Sequence, residues 1–178
     1  MRRSLLILFA CLSFTSARAE TLNHDFSAFT HWRYVLKHEH VKPSAPFSGD
    51  LKPALDDIHA KYAQVPYKHS LDVYGDANHW STRTETRKHG AADCKGIAEA
   101  EMFDLLEMGV PDQDVKIVVA YINQTGAVHA VTQVKDWVLD IRAKRVMTAD
   151  EFRQHYLPVY SINRLGWKME NSSVASDE

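Results

Sequence analysis

Apolar residues recur at helical spacing through Phe26, Phe29, Trp32 and Leu36, which predicts a helix over 24–40 that Pro43 and Pro46 stop. Ser48-Gly49-Asp50 opens a second helix through Leu51, Leu55, Ile58 and Tyr62, ending before Pro66. Residues 67–80 read as turns, and Ser81 caps a short helix that ends at Gly90. The clearest helix spans 94–108: Ala98, Met102, Leu105 and Leu106 share one face, while Glu99, Glu101, Asp104 and Glu107 predict a solvated acidic side. Gly109 stands at its C-terminal cap, with Pro111 beyond. The period then changes to two. Strands are expected over 115–122, 127–134 and 137–142, with a two-residue turn at Lys135-Asp136. Thr148 and Glu151 form a capping box for another helix, stapled by Met147 and Phe152, and 159–169 reads as a last strand. Helices followed by an antiparallel meander make an α+β chain, with N-terminal helices packed on an antiparallel sheet.

At 178 residues, 45% hydrophobic and 25% charged, the composition is that of one globular domain. A formal charge of −2 gives no electrostatic footprint for nucleic acid, and two cysteines exclude a disulfide scaffold or a four-thiolate zinc site. The first residues change this picture. Arg2 and Arg3 precede the apolar run Leu5–Leu12, and Ala17-Arg18-Ala19 is an A-x-A cleavage pattern, so residues 1–19 are read as a secretory signal peptide. Residues 20–170 are then the folded domain and 171–178 a disordered tail. The leader carries three arginines, no acid and Cys11, so its removal leaves 159 residues, a formal charge of −5 and one thiol, Cys94. A periplasmic or secreted location follows, with no membrane span after cleavage. A lone thiol in an oxidising compartment is a liability unless it is buried or used.

Cys94 begins the 94–108 helix, where free backbone N–H groups and the helix dipole favour a thiolate and can hold a tetrahedral oxyanion. A small core residue is the plain alternative. With the turn at Lys135-Asp136, Val134 pairs with Trp137. Val128, Ala130, Thr132 and Val134 then share an apolar, core-facing side with Trp137, Leu139 and Ile141. On the other side His129 falls opposite Arg142, with Asp140 as its diagonal neighbour. A histidine beside a carboxylate is what a general base and its orienter require, although a solvated polar face would place the same residues there. Trp80 is expected as a core aromatic, and His38-Glu39-His40 lacks the spacing of a metal site.

Tyr74-Gly75-Asp76, His79-Trp80-Ser81-Thr82 and Gly90-Ala91-Ala92-Asp93-Cys94 stand in order before the helix end Leu106-Glu107-Met108-Gly109-Val110-Pro111. Val128-His129-Ala130-Val131 and Trp137-Val138-Leu139-Asp140 follow. Over roughly residues 26–165 the chain thus resembles the LapG-like bacterial transglutaminase-like cysteine proteinase family. That resemblance implies a papain-like fold and a cysteine endopeptidase with Cys94 as nucleophile, His129 as base and Asp140 as orienter. It further implies a large bacterial surface adhesin as protein substrate and an inner-membrane regulatory receptor as partner. Calcium supports activity in characterised members, through a pattern close to Gly-Asp-Cys-Glu-Asp. Here Lys95 and Gly96 replace the two acids after the cysteine, so no cofactor is expected to be required and no metal ligand is assigned. The same thioester chemistry also fits a transglutaminase or deamidase acting on protein glutamine, and the lost acids fit a non-catalytic binding relative.

Overall fold

The structure, a computed structural model, describes residues 21–43 and 45–170. The signal peptide expected at 1–19 and the tail expected at 171–178 lie outside the described residues. The first helix, α1, is Thr30–His38, shorter than its periodicity suggests. Asn23 accepts from the Asp25 N–H and Asp25 from the Ser27 N–H, and these local bonds hold 23–27 out of the helix. α2 is Leu51–Tyr62, capped by Asp50. A helix that the turn-rich stretch conceals, α3, spans Ser70–Tyr74, and α4 spans Arg83–His89. The cap of α4 is Thr82 rather than Ser81, because Thr82 and Glu85 close a reciprocal capping box.

α5, Cys94–Glu107, is buried nearly all round. Half of its expected acidic face is not solvated: Glu99 is 0% and Glu101 1% exposed, while Glu107 at the helix end does reach solvent. A single turn of 3₁₀ helix, Asp112–Asp114, leads into β1 (Val115–Ile122), β2 (Val128–Val134) and β3 (Trp137–Leu139). β4 (Met147–Thr148) precedes α6 (Ala149–His155), which carries the expected Thr148–Glu151 capping box. The final stretch is two strands, β5 (Tyr156–Ile162) and β6 (Trp167–Met169), not one. Asn163 breaks it, since its side chain accepts from the Leu165 and Gly166 N–H groups and folds the chain back.

All strand pairs are antiparallel, in the order β4-β3-β2-β1-β5-β6. Mixed helices and antiparallel sheet confirm the α+β class. One face of the sheet packs through Val115, Ile117, Ala130, Val134 and Leu139 against α5 and the large rings of Trp32 and Phe103. The other is not a polar face. Val118, Ala120, Val131 and Val138 form a second core with Phe152 and Tyr156. Truncating a buried aromatic such as Phe152 to alanine typically costs about 3–5 kcal/mol. Val128, expected in the core, is 64% exposed at the strand's end. No helix among the described residues is long and apolar enough to cross a membrane.

Two devices hold α5 in place. Arg83 binds Glu39 through its side-chain Nε at 2.9 Å and its backbone N–H at 2.6 Å, and reaches Asp104 at 3.2 Å, which ties the end of α1, α4 and α5 together. Thr132 Oγ1 lies 2.9 Å from the Ala98 carbonyl and 2.7 Å from Glu101 Oε2. The Thr132 hydroxyl is the donor to both oxygens, which ties β2 to the middle of α5. Burial pushes the Glu101 carboxyl up from 4.5 to about 8, against the Thr132 hydrogen bond. Because the folded state holds the Glu101 proton more tightly, its contribution to stability is complete below 4.5 and is lost as pH rises through about 8. The melting temperature should therefore fall across that interval, and Glu101→Gln should flatten the fall; an unchanged slope in the variant contradicts the assignment.

Candidate active site

Asp93 starts the site. Its Oδ1 accepts from the Lys95 and Gly96 N–H groups at 3.1 and 3.2 Å, and its carbonyl accepts from Ile97. These bonds satisfy the first turn of α5 but leave the Cys94 N–H without a partner among the described residues. Oδ2 accepts from Ser70 Oγ at 2.6 Å and from the Lys95 ammonium. Ser70 thereby ties α3 to the start of α5, and a bridge between Tyr67 and Ala92 places Tyr67 nearby. A Cβ at position 96 would stand 2.0 Å from Ser81 Oγ, so a side chain there requires the Ser81 hydroxyl to turn away from Thr86.

His129 lies at the start of β2, paired with Ala120 where a bulge interrupts the β1–β5 register. The turn at Lys135-Asp136 gives Val134 opposite Trp137, as the sequence predicts, with Lys135 in the left-handed region at φ 51°. β3 nevertheless ends at Leu139, so the expected His129–Arg142 opposition does not form. Asp140 Oδ1 accepts from the Arg142 N–H at 2.9 Å and turns the chain out of the sheet. The same oxygen meets His129 Nε2 at 2.8 Å. Asp140 Oδ2 accepts from the Tyr156 hydroxyl at 2.5 Å. The Tyr156 ring lies near-parallel to His129 at 5.8 Å and stacks on Phe152 at 4.5 Å.

Both members of the pair are buried, His129 at 5% and Asp140 at 1% exposure. Burial raises the Asp140 carboxyl, but the hydrogen bonds from His129, Tyr156 and the Arg142 backbone outweigh it and hold it below its usual value. Burial lowers His129 in turn. Hydrogen bonds to Asp140 and Cys94, with the charges of both, overcome this and push it from 6.5 up to about 9. With Nε2 engaged by Asp140, Nδ1 is the ring nitrogen left for Cys94.

The structure thus brings Cys94, His129 and Asp140 together. Cys94 and His129 border a cleft of about 660 Å³ that Tyr67, Leu71, Trp80 and Tyr160 also line, and Asp140 stands behind the imidazole, away from it. Cys94 is partly exposed to it. Trp80 is both core and cleft wall: it is 8% exposed and meets Trp32 edge-on at 5.6 Å. Tyr67, Leu71 and Val128 are 49%, 57% and 64% exposed at the cleft. Tyr156, Ser70 and this apolar rim escape a reading of the sequence. Tyr156 follows an unremarkable helix end, and nothing local ties it to Asp140.

No protein-family model matches the chain, and no curated protein sequence does. Among solved structures, Legionella pneumophila LapG in calcium-bound form is similar at a TM-score of 0.63, with 22% identity, covering 69% of this chain and 71% of that one. The EGTA-treated form gives 0.64 at 22% identity, covering 70% of each chain. The chain has a LapG-like fold. Among the described residues no three His, Cys, Asp or Glu side chains stand together as a metal site, and Asp93 is already filled by donors of its own chain.

Asp140→Asn should remove the negative charge that holds the proton on His129. Its ring titration, followed by NMR, should fall from about 9 to near or below 6.5. An unmoved midpoint refutes the pairing.

Proposed function

We propose that the chain is an exported cysteine endopeptidase in which Cys94 is the nucleophile, His129 the base and acid, and Asp140 the orienter. The observation that carries this reading is His129 held between Asp140 and Cys94 at the wall of an open cleft. The LapG-like fold supports it. A histidine titrating at about 9 holds a proton at neutral pH, the proton that breakdown of the tetrahedral adduct requires it to give to the leaving amine.

The thiolate attacks a substrate backbone carbonyl, and the oxyanion that forms meets the free Cys94 N–H at the positive end of α5. His129 passes its proton to the departing amine as the C–N bond breaks, leaving a thioester on Cys94. Water, losing a proton to His129, hydrolyses the thioester and restores the thiolate. Asp140 keeps Nε2 engaged and so presents Nδ1 to the sulfur, and Tyr156 keeps Asp140 in place.

The resemblance in the sequence supplies the substrate class: a large adhesin or another envelope protein, cleaved in the periplasm under control of an inner-membrane receptor. The apolar rim of Tyr67, Leu71 and Val128 suits an extended polypeptide. Proteomics of surface and secreted proteins from cells with wild-type or Cys94→Ser protein tests the proposal. New protein N-termini that depend on Cys94 are expected. Identical termini exclude proteolysis, and Cys94-dependent incorporation of a labelled amine into glutamine side chains would replace it with transamidation.

A further inference from the structure

Lys95 follows the nucleophile directly, where a hard cation would need acidic side chains. It is neither free nor in bulk solvent. Its side chain is 21% exposed, and its ammonium binds Asp93 Oδ2 and reaches the Ala77 carbonyl at 3.3 Å. A carboxylate and a carbonyl are the oxygens that calcium takes as ligands. The rest of the Asp93 carboxylate is committed to Ser70 and to two backbone N–H groups. The next position is crowded as well. A Cβ at Gly96 would meet Ser81 Oγ, which is itself bound to Thr86 Oγ1 at 3.0 Å, and the Ala92 Cβ at 3.1 Å.

We propose that the Lys95 ammonium is the resident cation of the nucleophile's helix, a positioning residue that occupies the oxygens a divalent ion would need, so that the protein works without calcium. The ammonium neutralises the one carboxylate that borders Cys94 in sequence, and it fastens the 69–79 segment to the start of α5 through Ala77. Without it, Asp93 presents an uncompensated negative charge beside the sulfur and disfavours the thiolate. The proposal rests on Cys94 acting as a nucleophile, but calcium binding is read by heat and melting, which do not depend on catalysis.

Calorimetric titration of the mature chain with calcium chloride should give no saturable heat, and the melting temperature should agree in calcium and in EGTA. One-site heat overturns the proposal. So does a calcium-dependent rise of melting temperature, about 8 °C for an ion at roughly 100 times its dissociation constant. In a second arm, iodoacetamide alkylation of Cys94 at pH 7 should slow by about threefold or more in Lys95→Met and recover in Lys95→Arg. Equal rates for wild type and Lys95→Met contradict the positioning role. The titration of the wild-type chain needs no variant and decides the calcium question even if Lys95→Met fails to fold.

Discussion

The two-residue turn at Lys135-Asp136 sets the register on which the site depends. Side chains alternate across a sheet with a period of two, so a slip of one residue between β2 and β3 would turn Asp140 away from His129 and move Val138 out of the second core. The turn fixes Val134 against Trp137, and both sheet faces then enforce the register because both are buried. Asp140 completes the arrangement by leaving the sheet. Its bond to the Arg142 N–H ends β3, and the same oxygen is then placed on the imidazole.

Burial gives this pair its electrostatic character. In water a carboxylate and an imidazole exchange partners freely. Here His129 and Asp140 are nearly sealed, Tyr156 bonds the second carboxylate oxygen, and Phe152 backs Tyr156. The arrangement favours imidazolium and carboxylate over their neutral forms despite the desolvation each suffers. On the other face, α5 bears wholly buried acids. Glu99 is held protonated well above its usual range by burial and by the charge of Glu39. A helix enclosed this fully has little freedom to shift its first turn, and Asp93, Ser70 and Lys95 fix that turn from outside.

Local signals in the sequence carried much of this. Capping residues at Thr148 and Asp50, the turn at Lys135-Asp136 and the order of Cys94, His129 and Asp140 could be read directly, because each depends on residues close together in the chain. What escaped depends on distant partners. Glu99 and Glu101 sit at positions that solvent would suit, and only the packing of α4, β1 and β2 around α5 encloses them. α3 is five residues long and carries no periodicity. The early end of β3 follows from a side-chain bond of Asp140, a residue that periodicity alone reads as one more strand position. Lys95 looked in the sequence like the loss of a ligand, and the structure shows its charge on the carboxylate that remains.

The central claim is that His129 and Cys94 act on each other across the cleft wall. The most direct measurement is the rate of Cys94 alkylation by iodoacetamide at pH 6 in the wild-type chain and in His129→Ala, with circular dichroism to verify that the variant is folded. Loss of the imidazolium should slow alkylation by about tenfold or more. Equal rates in two folded proteins would mean that the thiol is an ordinary one, and would contradict the account.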